Sequence, residues 1–363
     1  MKILIFSHEF PPDIGGAGVV AEQNAKILAE TGNDVTVLTR YRESSLDNDL
    51  IYSIKRVKTY GKLWFITYKN AVDFSEYDLI LLNDPASLYI AGLYFNKEIF
   101  DKSTAFLHGS EPELIYKKHS LFRSITFFKF FYTKALTKVK HIISVSHFMK
   151  EKFLSNTNLH SLSSKMIVNY AGIDSEVFSP EKNADLKQEL SLPQGAQLLI
   201  SVSRLVTMKG YPEMLNIFEK LLAVDNDFYW AVVGTGEYLE DFKKEIKMKK
   251  LESRVFLLGP KKRSELRYYY SGSDVFWLLS NYEESFGLSY LEAQACGIPA
   301  IGFNKCGVKE AISVDTGFLI DTADEIIPIL VNKKYKNIQP DSLKNFICYF
   351  NGKNLTNNLL NLM

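Results

Sequence analysis

Cysteine is scarce in this 363-residue chain: Cys296, Cys306 and Cys348 make up the complement, and no two stand in a CxxC pair. That scarcity excludes a disulfide framework and a thiolate zinc site, and it points to a reducing compartment. Excess charge is lacking as well. The 43 Lys and Arg balance 42 Asp and Glu to leave a net charge of +1, which rules out a generally basic, nucleic-acid-coating protein. No apolar run approaches the roughly 18 residues needed to span a bilayer. The opening MKILIFSHEF has too short an apolar stretch for a signal peptide. The expected location is the cytoplasm, or at most the inner face of a membrane as a peripheral protein. No period of roughly 20–50 residues recurs, so a solenoid is excluded.

What the chain does have is alternation. Short apolar runs read as strands: KILIFS (2–7), DVTVLTR (34–40), YDLILLN (77–83), TAFLHG (104–109) and HIISVS (141–146). A loop, PPDIGGAG, follows the first, and a helix closed by Gly32 follows the loop. After a linker over 169–195 the rhythm restarts with QLLISVSR (197–204), FYWAVVG (228–234), RVFLLG (254–259), DVFWLL (274–279), PAIGF (299–303) and TGFLI (316–320). Strands buried on both faces with helices between them predict an α/β protein with two Rossmann-like, doubly wound parallel sheets. The expected spans are 1–175 for the first domain, 190–335 for the second, and 336–363 for a C-terminal helix crossing back to the first. Ligands of such sheets sit at the carboxyl ends of the strands, so a cleft faced by both domains is the expected site.

The loops at those ends carry charge. Arg204 and Lys209 follow a strand and precede a helix; backbone N–H groups there attract anions, and two added cations suit a diphosphate. The alternative is a pair of solvated surface charges. Two carboxylates, Glu284 and Glu292, flank Phe286, Gly287 and Leu288, where the chain enters another helix. Glu292 falls in an apolar stretch, and a carboxylate there either meets the vicinal diol of a ribose or pairs with a nearby cation. Glu284, in the loop, either reaches sugar hydroxyls beyond the phosphates or is an exposed charge. The two Asp-Asn-Asp triplets, Asp47–Asp49 and Asp225–Asp227, read as turns and not as metal ligands.

Together the Glu284–Glu292 pair, the Arg204/Lys209 pair, the early GGAG and the linker NYAGIDSEVFSP resemble retaining glycosyltransferases of family 4, which have the GT-B fold. The resemblance runs nearly the whole chain in the expected order. It implies that Glu284 contacts the donor sugar, that Glu292 binds the nucleotide ribose, and that Arg204 and Lys209 stabilise the leaving diphosphate. It implies that the amides of Gly15 and Gly16 approach the donor phosphate, that GTGEY, beginning at Gly234, lies near the nucleotide, that the LLGPKK (257–262) backbone contacts the base, and that His108 is an active-site histidine. A plain turn is the alternative for each loop, and a satisfied structural residue is the alternative for His108. The family's commoner His-Asp pair is absent, since Gly109 and Ser110 follow His108.

The function this implies is transfer of a hexose-type sugar from a nucleoside-diphosphate donor to a glycan or lipid-linked acceptor, with retention, in bacterial surface polysaccharide synthesis. No cofactor or metal is expected, because cations and helix N-termini supply the positive charge. A nucleotide-sugar 2-epimerase is the alternative on the same fold, and a noncatalytic homologue would look similar. An NAD(P)-dependent oxidoreductase fits poorly: GGAGVV lacks GxGxxG spacing and the second strand ends in Arg40. From Leu114 to Lys150 there are eight Lys or Arg and no Asp or Glu. Within that stretch, 120–140 reads as one helix. Leu121, Ile125, Phe128, Tyr132, Leu136 and Val139 are predicted to pack on the sheet, with Arg123, Phe127, Phe130, Lys134 and Lys138 facing an anionic membrane; the alternative is that Phe127 and Phe130 pack under a neighbouring loop or the C-terminal helix.

Overall fold

Apolar runs become the parallel strands of two separate sheets in the computed structural model, which describes residues 1–13, 15–43 and 50–361. Asp47–Asp49 lies outside the described residues. The chain forms two compact units, 1–172 with 352–363, and 173–351.

The first unit holds β1 (Lys2–Phe6), β2 (Asp34–Arg40), β3 (Ser53–Val57), β4 (Leu79–Leu82), β5 (Ser103–Leu107), β6 (His141–Ser144) and β7 (Met166–Val168). They pair in the order β3-β2-β1-β4-β5-β6-β7, every neighbour parallel. β4 and β5 are buried throughout because helices cover both faces of such a sheet. Sequence order reverses on either side of β1, so the carboxyl ends of β1 and β4 form a switch point where a loop crevice opens.

The second unit holds β8 (Gln197–Val202), β9 (Phe228–Val233), β10 (Val255–Gly259), β11 (Val275–Leu278), β12 (Ala300–Phe303) and β13 (Gly317–Ile320). Their order is β10-β9-β8-β11-β12-β13, again all parallel, with the switch point between β8 and β11. Trp230 and Trp277 are fully buried at its centre, their rings 4.8 Å apart edge to face.

Three features depart from the sequence expectation. β3, SIKRV, carries two cations and sits at the sheet edge, where a half-exposed strand needs no apolar run; β7 has three residues. The C-terminal segment is two helices. Pro340–Cys348 and the buried Leu343 belong to the second unit, whereas Gly352–Asn361 belongs to the first. There Leu359 joins a core of Ala25, Leu28, Val37 and Leu81, and Thr356 donates to Asn24 Oδ1 at 2.8 Å. The expected 120–140 helix is also broken. Phe127 is left-handed at φ 50° and separates helices Leu121–Ile125 and Phe128–Lys138. Phe128, Tyr132, Leu136 and Val139 are buried as expected, but Leu121 and Ile125 are 79% and 68% exposed, because the break turns the first helix out of register with the second.

Candidate active site

Strand order brings six polar residues to one end of the first sheet. β1 runs into Ser7, His8 and Glu9, β4 into Asn83 and Asp84, and β5 into His108. Asp84 caps the helix Pro85–Tyr94 by accepting from Ser87 N at 2.8 Å. Its other oxygen accepts from the backbone N–H of His8 and, at 2.9 Å, of Glu9. One buried carboxylate thus fixes the loop after β1 to the loop after β4. His8 Nδ1 lies 3.0 Å from the Tyr68 hydroxyl. Burial lowers the imidazole pKa and raises that of the phenol, so the hydroxyl donates to a neutral ring.

His108 ends β5 with its Nε2 3.2 Å from Asn83 Oδ1 and its ring stacked on Phe106. Its backbone N–H and that of Gly109 both donate, at 2.6 Å, to the two oxygens of Glu111. The turn His108-Gly109-Ser110 is therefore held by a buried acid one position beyond the residues considered from sequence. The glycines Gly15 and Gly16 open the helix Gly16–Glu30. Space above Gly16 is open, while the Glu9 carboxylate lies over Gly15 and accepts from Gly18 N at 3.0 Å. The structure thus places a resident anion at the helix end assigned to a phosphate.

In the second unit, Arg204 follows β8 and is exposed, and its guanidinium has no partner among the described residues. Lys209 closes the short turn before the helix Tyr211–Val224. Its ammonium lies 2.6 Å from Glu284 Oε1, which also accepts from Ser280 Oγ at 2.5 Å. The same ammonium sits over the Tyr282 ring at 5.7 Å. Two residues given separate roles from the sequence are one ion pair, and the second oxygen of Glu284 has no partner among the described residues.

Gly287 is left-handed at φ 104° and starts the helix Leu288–Ala295, with Phe286 buried beside it. That backbone conformation favours glycine. Glu292 lies in this helix and is buried. One oxygen is 3.2 Å from Arg263 Nη2 and the other 3.2 Å from the Tyr270 hydroxyl. Burial, and then the Glu292 charge, push the Tyr270 phenol well up, so it keeps its proton and donates. A buried carboxylate is thereby satisfied without a ligand, and each oxygen retains a second lone pair. Gly234, at φ 136°, has no room for a side chain: a Cβ would lie 2.0 Å from the Ser203 carbonyl. Its N–H donates to Gly259 O at 2.9 Å, which joins the GTGEY and LLGPKK loops. Asp225–Asp227 is a turn, closed by Asp227 N donating to Asp225 Oδ1 at 3.0 Å.

Of the surface residues, Phe127 and Phe130 are 67% and 63% exposed and line an open apolar groove of about 660 Å3 with Arg123, Lys129 and Lys134. Lys138 is exposed and outside that lining. All three lining cations have internal partners: Lys134 donates to Gly92 O at 2.8 Å, Arg123 donates to the Leu114 carbonyl, and the Lys129 ammonium sits over the Tyr116 ring at 5.1 Å. The sequence reading missed His8, Asn83, Asp84, Glu111, Arg263 and Tyr270. Four of these stand at or just past strand ends; Asn83-Asp84 closing an apolar run was the available signal.

A model of glycosyl transferases group 1 matches residues 182–327, and one of glycosyltransferase family 4 matches residues 14–177. N-acetyl-alpha-D-glucosaminyl L-malate synthase of Bacillus anthracis is 26% identical over 340 residues, 86% of this chain and 82% of that protein. A GDP-mannose-dependent monoacylated alpha-(1-6)-phosphatidylinositol monomannoside mannosyltransferase of Corynebacterium glutamicum is 23% identical, over 89% of this chain and 85% of its own. The crystal structure of Anabaena HepE in complex with UDP and glucose shares the fold with a TM-score of 0.81 at 18% identity, covering 99% of this chain and 98% of that one. No described helix is long and apolar enough to cross a membrane. With both sheets doubly wound and each half matched by its own model, the chain belongs to glycosyltransferase family 4 and has the GT-B fold.

Proposed function

We propose that the chain moves a hexose-type sugar from a nucleoside-diphosphate donor to a hydroxyl of a glycan or lipid-linked acceptor, with retention and without a metal. The observation that carries this reading is the charge arrangement at the end of β8. An unpartnered Arg204 stands five residues before a Lys209 whose ammonium is shared with Glu284. Departure of the diphosphate leaves an oxocarbenium-like sugar and a developing dianion. Preorganised cations and helix-terminal N–H groups lower the cost of that charge. The acceptor hydroxyl attacks on the face the leaving group vacates; the C–O bond to the phosphate breaks, and the phosphate oxygen takes the hydroxyl proton. Glu284 holds a sugar hydroxyl with its free oxygen, while Glu292, oriented by Arg263 and Tyr270, accepts from the ribose.

The test uses UDP-, GDP- and ADP-sugars with a panel of glycan and lipid acceptors in excess chelator, with NMR of the product's anomeric carbon. Acceptor-dependent product of unchanged anomeric configuration supports the reading; an inverted product refutes retention. Conversion of the donor to its 2-epimer without acceptor would favour the isomerase.

The groove on the first unit favours a lipid-linked acceptor met at the cytoplasmic membrane face during synthesis of a surface polysaccharide such as lipopolysaccharide. Exposed Leu121, Ile125, Phe127 and Phe130 beside Lys129 and Lys138 combine apolar area with cations, as an interfacial surface does. Wild type should sediment with anionic liposomes at low salt. Phe127→Asn/Phe130→Ser with Lys129→Glu should stay in solution; equal sedimentation would refute this contact.

A further inference from the structure

The hydrogen bonds behind His108 form a chain with one direction. Ser7 Oγ donates to the Glu9 carbonyl at 2.5 Å, and a carbonyl only accepts. The Ser7 hydroxyl therefore has no proton left for its other neighbour, Asn83 Nδ2, at 2.9 Å. That amide group must donate, and it donates again to the Ala17 carbonyl at 2.9 Å. Two acceptors thus fix which end of the Asn83 amide is nitrogen. Its oxygen faces His108 Nε2 at 3.2 Å, so Nε2 carries the ring proton.

Asn83 is 1% exposed and follows β4, beside β5 in the sheet, so it can hardly turn away. The ring is stacked on Phe106, and the backbone of its turn is pinned by Glu111. His108 Nδ1 is then the lone-pair nitrogen, and it has no partner among the described residues. Burial pushes the imidazole pKa down to about 4, with the Asp84 charge and a hydrogen bond to the Asn83 backbone pulling the other way. At neutral pH the ring carries no charge.

We infer that Asn83 is a positioning residue: it holds His108 in the Nε2–H tautomer, so that Nδ1 is presented as an acceptor for a sugar hydroxyl. The inference rests on the reading of the chain as a sugar-transferring enzyme with His108 at its site. It commits that site to a hydroxyl on the substrate side. A neutral ring with its proton turned inward offers nothing to a phosphate oxygen.

The experiment labels the histidines of the full chain with 15N and assigns His108 by the resonances lost in His108→Gln. In wild type at neutral pH, Nε2 should appear as the protonated, pyrrole-type nitrogen and Nδ1 as the bare, pyridine-type one. A bare Nε2, or an imidazolium, overturns the inference whatever the activity. In Asn83→Leu the two signals should move toward each other as the tautomers mix. In that variant kcat/KM for the intact donor should fall about tenfold, while inhibition by the free nucleoside diphosphate is unchanged. Asn83→Asp, which substitutes a charged acceptor, should raise the pKa of His108 and add an ionisation to a pH–rate profile that is flat between about pH 6 and 8 in wild type. Unaltered tautomer signals in Asn83→Leu would also overturn the positioning role. Wild-type turnover in His108→Gln with the wild-type tautomer as stated would instead overturn the reading of His108 as a site residue.

Discussion

Replacing Glu284 by Gln should tighten binding of the free nucleoside diphosphate while slowing transfer from the intact donor. The expectation comes from the ion pair. Lys209 and Glu284 are 17% and 14% exposed and 2.6 Å apart, so the pair presents little net charge to an incoming phosphate. Gln keeps the shape and the bond from Ser280 but removes the negative charge. A carboxylate about 7 Å from a doubly charged phosphate repels it by about 2 kcal/mol at an effective dielectric of about 40. Physiological salt, with a Debye length of about 8 Å, reduces that to about 1 kcal/mol. Roughly fivefold tighter binding of the free diphosphate follows. The same change removes the acceptor proposed for a sugar hydroxyl, so turnover should fall by roughly 10²-fold. Titration calorimetry with UDP, GDP and ADP reads the first effect, and nucleotide release from the matching sugar donor reads the second. Weaker diphosphate binding in Glu284→Gln would refute the reasoning, because it would place Glu284 among the groups that hold the nucleotide.

Arg204→Ala should leave the melting temperature unchanged, because its guanidinium is exposed and without a partner among the described residues; a large drop in a thermal scan would mean it supports the fold. Glu292→Ala should weaken nucleotide binding in calorimetry and also lower the melting temperature, since Arg263 and Tyr270 lose their shared acceptor; full stability would contradict the pairing. Leu359→Ala should destabilise by about 2–4 kcal/mol through the cavity left in the first unit's core, seen in denaturant unfolding. His108 has a folded pKa of about 4 against an ordinary 6.5. On acidification the unfolded chain takes up a proton that the folded one refuses, so this contribution is complete above about pH 6.5 and declines toward pH 4. Glu111, raised by burial, acts in the opposite sense but is common to both proteins compared. The stability gap between wild type and His108→Gln should therefore shrink as pH falls; a constant gap would refute the half-buried, neutral histidine.

Both sheets were legible because their strands are continuous apolar runs, and the break between units fell in a polar, proline-containing linker. β3 was hidden because an edge strand such as SIKRV alternates with charge and carries no burial signal of its own. The region 120–140 misled for a different reason. Its helical period is real on both sides of Phe127, but one left-handed residue resets the phase, and no glycine or proline marks the place. At the site, residue types were legible and pairings were not. Lys209 meets Glu284 across 75 positions and Arg263 meets Glu292 across 29. Asn83 meets His108 because β4 and β5 are neighbours, which is decided by strand order and not by local spacing. The carboxylate of Glu9 over Gly15 was likewise invisible, since a loop closing back on a helix end leaves no periodic trace.

Nucleotide release, measured in chelator for wild type, Arg204→Ala and Lys209→Ala with the three donor classes, bears most directly on the central claim. The account predicts acceptor-dependent release from at least one donor by wild type and a loss of about 10²-fold or more in each variant, with all three proteins equally folded by circular dichroism. Release undiminished in both variants, or from no donor at all with any acceptor, would contradict it.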